Sequence, residues 1–284
     1  MTRRSRFGAL AVAAWALLLT PRAARGQEPE TDVALLLEGP KAVTGRLGDE
    51  LDRWRERHPE VVGPRAARRR LASHPAALRA LARARKAIEE AEGAVLRMKR
   101  DIALGEARRA RAALEAVDGR YFAASLLARA HLAEGAALLL HPADPDRALD
   151  TFRTTFSLDP DYRPDPDRVP TRMAELLRRA RASASPPRPP TREELATLSA
   201  RLGVARLVWV ATLLRDGQVA ATLVLHDPGR QTKARSKRAV WPPQPAPRHL
   251  AADLDALLGE GLRPAGPSSQ PDVAEVARVP GSAS

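Results

Sequence analysis

The sequence predicts a mixed α/β protein in which a small sheet domain is split by an inserted stack of helical hairpins. Short apolar runs typical of buried strands occur near both ends of the chain, at residues 32–39 and 204–226. Between them, apolar residues recur at steps of three and four, which is the period of amphipathic helices. Only 4% of the residues are aromatic, so the helices must pack through Ala, Leu and Val.

The amino end has the three-part pattern of an export signal. Arg3, Arg4 and Arg6 precede the uncharged run from Gly8 to Leu19, and Ala24-Arg25-Gly26 forms a small-x-small cleavage site. The run has twelve residues, whereas a membrane-spanning helix needs roughly 20. We therefore expect a signal peptide over residues 1–26, cleavage near Gly26 and a periplasmic or secreted product. Retention as an anchor is the alternative, and the general and twin-arginine export routes stay open.

The charge of the chain is strongly positive, at +13, and removal of the five arginines in residues 1–26 takes it to +8. The densest basic cluster, Arg65 with Arg68 to Arg70, is interpreted as the solvated face of one helix. No aromatic residues alternate with these arginines to stack on bases, so no nucleic acid partner is expected. Electrostatic binding to an anionic membrane surface or envelope polymer remains an alternative function.

The first predicted unit, residues 27–75, reads as strand, helix, strand, helix. "DVALLLEG" is an apolar run with the length of a buried strand, and Val43, Leu47, Leu51 and Trp54 mark the buried face of the following helix. "PEVVGP" is the second strand and "RAARRRLASH" the second helix. Because a helix joins the two strands, they are expected to be parallel.

The second predicted unit, residues 76–184, is the helical stack. Leu78, Ile88, Met98 and Ile102 belong to one apolar series with the helical period, so a single long helix with a continuous core seam is expected up to Gly105. Shorter helices follow, and the stack is expected to end with a helix from Thr171 to Ala184. Antiparallel hairpins are the simplest way to connect these helices.

A stretch rich in Asp and Pro interrupts the stack between residues 159 and 170. Its aspartates suggest a calcium loop, but the spacing places Arg163 and Pro164 at a ligand and at the required glycine, and Pro170 at the bidentate glutamate. The alternative is a helix that ends near Leu158 and a new helix that begins near Thr171, because Pro disfavours helical backbone. We expect no metal site here.

The stack contains a motif with a known counterpart. In "ALDTFRTTFSLDPDY", Ala148, Phe152 and Pro160 have the spacing of the second helix and closing proline of a tetratricopeptide repeat, which this segment resembles. Leu132 stands where such repeats usually carry Trp, and the glycine is displaced by one to Gly135, so the repeat is degenerate. The resemblance implies about two repeat units over residues 76–158 and a concave surface for a partner peptide or protein.

The third predicted unit completes the sheet. Residues 185–190 form a stiff Pro-rich linker, after which Thr191 and Glu194 make a capping box for a helix that ends at Gly203. Two β-rich runs joined by Arg215-Asp216-Gly217 predict a hairpin, followed by a weaker strand and a helix up to residue 262. Residues 191–262 thus form the second half of the α/β domain, and residues 263–284 are expected to be disordered.

The two halves together resemble a known family. "DVALLLEG" and "ATLSARLGVARLVWVATLLRDGQVAATLVLHDPG" are similar to strands and a helix of the small periplasmic α/β domain at the amino end of TolB-like envelope proteins. Neither half could bury a core alone, so Val33 is expected to pair in parallel with Val61 and Leu207 in one sheet.

Motifs that carry chemistry are absent from the sequence. There is no Cys, and the six His residues have no metal-ligand spacing, so no metal and no cofactor are expected. The sequence also lacks a G-x-S-x-G motif and a phosphate-binding GK[ST] loop. We therefore expect a non-enzymatic scaffold or adaptor of the cell envelope whose partner is an envelope protein or peptide. The residues predicted to contact that partner are Arg108, Arg109, Arg111 and Tyr121; the alternative is that they belong to the solvated surface of a helix.

Overall fold

The computed structural model describes residues 33–165, 169–215, 218–227, 235–242 and 246–258. Within these residues the chain is a mixed α/β protein with one five-stranded sheet in the order β2-β1-β3-β4-β5. The strands are β1 (Val33–Glu38), β2 (Val61–Val62), β3 (Arg206–Arg215), β4 (Gln218–His226) and β5 (Arg235–Trp241). The helices are α1 (Lys41–Glu56), α2 (Pro64–Ser73), α3 (Pro75–Leu96), α4 (Arg100–Glu115), α5 (Ala124–Leu138), α6 (Pro145–Leu158), α7 (Thr171–Ala182), α8 (Arg192–Leu202) and α9 (Ala246–Leu258).

Strand β1 lies between β2 and β3 and joins residues from both ends of the described chain. It runs parallel to β2, with Val33 opposite Val61, and parallel to β3, with Ala34 opposite Leu207. The predicted parallel pairing is therefore confirmed. Strands β3, β4 and β5 then continue as an antiparallel meander, in agreement with the predicted hairpin.

Both faces of the sheet are covered by helices, which explains why β1 is apolar without alternation. Leu35 and Leu37 point to a core shared with α1 and α9. Ala34 and Leu36 point to a second core that contains side chains of α2 and α8. The predicted capping box at the start of α8 is present, and Gly203 ends this helix with a positive φ of 66°.

The helical stack consists of the hairpins α3–α4 and α5–α6 followed by α7. Alanines fill its centre: Ala91, Ala107 and Ala133 meet where α3, α4 and α5 cross. Alanine at a crossing lets two helix backbones approach closely, as the composition predicts. Larger side chains close the stack at the α6–α7 end, where Phe152 and Phe156 pack with Leu177.

The predicted single helix up to Gly105 is wrong. Helix α3 ends at Leu96, Met98 adopts a left-handed conformation with φ of 55°, and α4 begins at Arg100, so Gly105 lies inside α4. The buried face of α3 also differs from the prediction, because alanines rather than the larger Leu78 face the next helix. The predicted core residues Leu78, Met98 and Ile102 are exposed.

The stack is joined to the sheet by the 3₁₀ turn Gly119–Tyr121 between α4 and α5. Arg120 in this turn binds Glu38 at the end of β1 through two hydrogen bonds of 3.2 and 3.0 Å, and both side chains are largely buried. The Arg120 guanidinium also lies 5.1 Å from the centre of the Tyr121 ring and 5.8 Å from that of the Trp209 ring. One residue therefore connects the stack, the sheet and the core between them.

The Asp-rich stretch after α6 is used for hydrogen bonds within the chain. Asp159 is buried and accepts a hydrogen bond of 2.6 Å from the Ser125 hydroxyl. Asp161 accepts from the backbone N–H of Lys41 at the start of α1, which adds a second connection between stack and sheet. Among the described residues no group of three or more His, Asp or Glu side chains could hold a metal ion.

Several predictions concern residues that the structure does not describe. These are the signal peptide over residues 1–26, the tail over residues 263–284, the hairpin turn at 216–217 and the last residues of the final helix. No helix within the described ranges is both long and apolar enough to cross a membrane. The predicted domain boundaries stay predictions, as does the insertion of the stack as a separate unit.

Two glycines of the stack should respond oppositely to alanine. In α5, a Cβ at Gly135 would lie 2.3 Å from Cε1 of the buried Phe152, so Gly135→Ala should lower the free energy of unfolding by about 1–3 kcal/mol. In α4, a Cβ at Gly105 would meet no atom within 4 Å, so Gly105→Ala should raise it by about 0.5–1 kcal/mol. Urea unfolding of both variants measures the two changes, and an equal effect would contradict this packing.

Removal of one member of the Arg120–Glu38 pair should lower the free energy of unfolding strongly, whereas replacement of both by apolar residues should lower it only a little. Arg120→Met alone leaves the Glu38 carboxylate largely buried without its partner, so we expect a loss of about 3 kcal/mol in unfolding free energy. Adding Glu38→Leu should restore most of this loss, because two apolar side chains need no partner. Additive losses in the double variant, measured by urea unfolding, would contradict a direct interaction between the two residues.

Candidate functional site

Two of the residues predicted to contact a partner, Arg108 and Arg111, lie on α4 and face α5. Arg108 donates a hydrogen bond of 3.1 Å to Glu134, and Arg111 donates one of 2.7 Å to the other oxygen of the same carboxylate. The Glu134 side chain is only 6% exposed, so both arginines compensate a buried charge between neighbouring helices. The structure thus gives them a role inside the stack, and their contact with a partner stays a prediction.

The other two predicted residues are not brought together with this pair. Arg109 points to solvent and binds Glu106 one turn earlier in α4. Tyr121 is buried in the core between the sheet and α8, and burial raises the pKa of its hydroxyl. The four residues therefore do not form one surface.

A different surface of the stack has the properties of a binding site. A groove with a volume of about 600 Å³ runs along the face formed by α3, α5 and the segment that leads into α7, and no residue of α4 or α6 lines it. The alternate helices α3 and α5 contact each other directly and form its floor. Its larger apolar residues are Val95, Leu96, Met98, Leu132, Leu139, Leu140, Val169 and Met173.

The mouth of this groove exposes two large apolar side chains. Leu96 and Met98 are each 70% exposed, more than any other large apolar residue among the described ones. Both belong to the turn that ends α3, where the left-handed conformation of Met98 turns the chain into α4. Neighbouring apolar side chains that are left exposed beside an apolar groove can form part of an interaction site.

Charged residues at the side of the groove are partly neutralised by each other. Arg129 of α5 donates two hydrogen bonds of 2.6 Å to Glu92 of α3, and the hydrogen bonds to Glu92 raise the pKa of this guanidinium. Tyr162 lies next to this pair, and burial raises the pKa of its hydroxyl. Arg172 at the start of α7 has no ion-pair partner among the described residues. The groove is thus apolar at its floor and polar along one edge.

Such an arrangement can bind an apolar segment. None of the residues that line the groove is a His or a Ser, and its two carboxylates, Glu92 and Asp165, are engaged in contacts within the chain. An apolar floor with a polar rim is the usual anatomy of a protein-binding surface. The groove is therefore the candidate functional site.

This groove was hardly predictable from the sequence. Met98 and Leu96 belong to an apolar series with the helical period, and such a series predicts burial as long as the helix continues. The signal that could have revealed the break is the run Arg97-Met98-Lys99-Arg100, in which one apolar residue stands among three cations.

The buried histidine beside Glu134 should make the stack sensitive to acid. Burial lowers the pKa of His131 to about 4, with a contribution from Arg111, whereas an unfolded histidine has a pKa of about 6.5. The folded state therefore loses stability as the pH falls from about 6.5 towards 4, by about 2 kcal/mol at pH 5. Urea unfolding at pH 7 and pH 5 should show this loss in the wild type but not in His131→Gln. Equal losses in both proteins would contradict it.

Comparisons with known proteins do not identify a relative. No protein-family model, no curated protein and no solved structure matches this chain. The resemblances to tetratricopeptide repeats and to the TolB-like domain therefore stay predictions from the sequence, and the function has to be argued from the groove and its surroundings.

Proposed function

We propose that this chain is an exported, non-enzymatic interaction protein of the bacterial cell envelope, and that it binds a protein partner in the groove formed by α3, α5 and α7. The observation that carries the proposal is the exposure of Leu96 and Met98 at the mouth of an apolar groove. Burial of a Leu or Met side chain contributes roughly 1.5–3 kcal/mol, so two such residues could anchor a partner.

The arrangement of the helices supports this use of the stack. In repeat proteins built from helical hairpins, alternate helices line one face and bind partners there. Ala148 and Phe152, which carry the resemblance to a tetratricopeptide repeat, are both fully buried, and Gly135 leaves room for the Phe152 ring. These contacts are the ones that the spacing of such a repeat requires, so we propose that residues 76–184 are a degenerate repeat stack inserted in an α/β domain.

The sheet and its helices have a supporting role in this proposal. The α/β unit, which we propose to be TolB-like, fixes the orientation of the stack through Arg120 and Asp161. The groove lies on residues of the stack alone, so the partner would contact the stack while the sheet unit holds it in place. The export signal over residues 1–26 would bring this arrangement to the envelope.

Removal of the apolar contact should abolish partner binding without a change in charge. In the double variant Leu96→Gln with Met98→Asn, both side chains become polar, and Asn suits the left-handed backbone at position 98. A photoreactive amino acid introduced at Arg172, an exposed residue that lines the groove, should crosslink one discrete protein in the envelope of the source cells. The double variant should reduce this adduct by about tenfold or more.

The matched control is Leu78→Gln, which changes an equally apolar residue of α3 that is 54% exposed but lies outside the groove. The control should leave the adduct unchanged, and the adduct should persist in about 0.5 M salt, because an apolar contact is not screened. Equal losses in the control and the double variant would refute the groove as the binding site. An adduct that disappears in high salt would favour electrostatic binding to an anionic surface instead.

A further inference from the structure

A second cleft, separate from the groove, lies where the helical stack meets the sheet. Its volume is about 490 Å³, and it borders Glu38 and Gly39 at the carboxyl end of β1. In open sheets with parallel strands, ligands commonly bind in the crevice beyond the carboxyl ends of the strands. The volume is in the range of small-molecule sites, roughly 300–1,000 Å³.

Three cationic side chains from three different helices line this junction cleft. They are Lys41 of α1, Arg68 of α2 and Arg85 of α3. None of the three forms an ion pair with a carboxylate among the described residues; the Arg68 guanidinium donates a hydrogen bond to the carbonyl of Leu37 and interacts electrostatically with Glu38. The fold therefore brings three positively charged side chains without an ion-pair partner to one cavity from positions far apart in the sequence.

The carboxylates that line the same cleft compensate these charges only in part, because Glu38 attracts Arg68 but forms its hydrogen bonds with another residue. Glu38 is bound by Arg120, and Asp159 accepts a hydrogen bond from the Ser125 hydroxyl. The backbone N–H of Lys41, at the start of α1, is occupied by Asp161, so the helix terminus offers no free donor at that residue. The positive character of the cleft depends on the three side chains.

We propose that the junction cleft binds a ligand that carries phosphate groups, held by Lys41, Arg68 and Arg85. The planar guanidinium groups of two arginines can each donate two parallel hydrogen bonds to phosphate oxygens, and lysine adds a mobile point charge. Three cations around one cavity suit a ligand with more than one phosphate charge. This inference goes beyond the proposed function, because the junction cleft and the groove share no lining residue.

Titration of the full chain with pyrophosphate and tripolyphosphate at low ionic strength tests the proposal by calorimetry. The variant Lys41→Gln/Arg68→Gln/Arg85→Gln should bind both probes about tenfold more weakly or worse. The matched control Arg46→Gln/Arg70→Gln/Arg83→Gln removes the same charge from the same three helices, at exposed positions that do not line the cleft. It should change the affinity by less than about threefold. Equal weakening in both variants, or no binding by the wild type, would overturn the proposal.

Two further measurements control for misfolding of the triple variant and identify the source of the phosphate. Pyrophosphate should raise the Tm of the wild type. The single variant Arg85→Gln, which changes one exposed side chain, should lose most of this increase. An unchanged increase would overturn the assignment. Sedimentation with phosphatidylglycerol vesicles distinguishes a lipid headgroup from a soluble ligand. Loss of vesicle binding in the cleft variant alone supports a headgroup, and binding of pyrophosphate without vesicle binding supports a soluble phosphate compound.

Discussion

The contact between Arg120 and Glu38 is the constraint on which the rest of the arrangement depends. It links the turn between α4 and α5 to the last residue of β1, and it places Tyr121 in the core beneath α8. Two largely buried charges in a fixed geometry tolerate little displacement, because each would lose its hydrogen-bonded ion-pair partner. The direction in which the stack leaves the sheet is thereby fixed. Both the groove on the stack and the junction cleft beside Glu38 take their positions from this contact.

Much of the fold was predictable because it follows from local chemistry. The strand β1 was recognised as an apolar run of the right length, and the parallel pairing of Val33 with Val61 follows from the helix between them. The limits of α8 follow from the capping box at Thr191 and from Gly203. The buried face of α3 was not predictable in the same way. The large side chain of Leu78 suggested that its face of the helix is buried, but the alanines of the helix form the buried face instead.

The candidate sites were less predictable, and the reason is physical. A periodic series indicates which face of a helix is buried only while the helix continues, and the turn at Met98 ends α3 within such a series. Arg120 and Glu38 are 82 positions apart, and no local rule pairs residues at that distance. Arg108 and Arg111 are predicted from the sequence to contact a partner, but the buried carboxylate that they bind belongs to the next helix. A site formed by residues of several helices and strands can be recognised only when the fold is known.

The contacts of Arg120 and Asp161 imply that the stack and the sheet fold as one body. Trp54, Trp209 and Trp241 lie in the α/β part, and residues 76–184 contain no tryptophan. With the fourth tryptophan, Trp15, changed to Phe, fluorescence follows the α/β part, while circular dichroism at 222 nm takes most of its signal from the helices of the stack. Urea unfolding of the full chain should show one transition with the same midpoint by both methods, as expected for a two-state unit. Two separate midpoints would contradict the claim, since the stack would then unfold independently of the sheet.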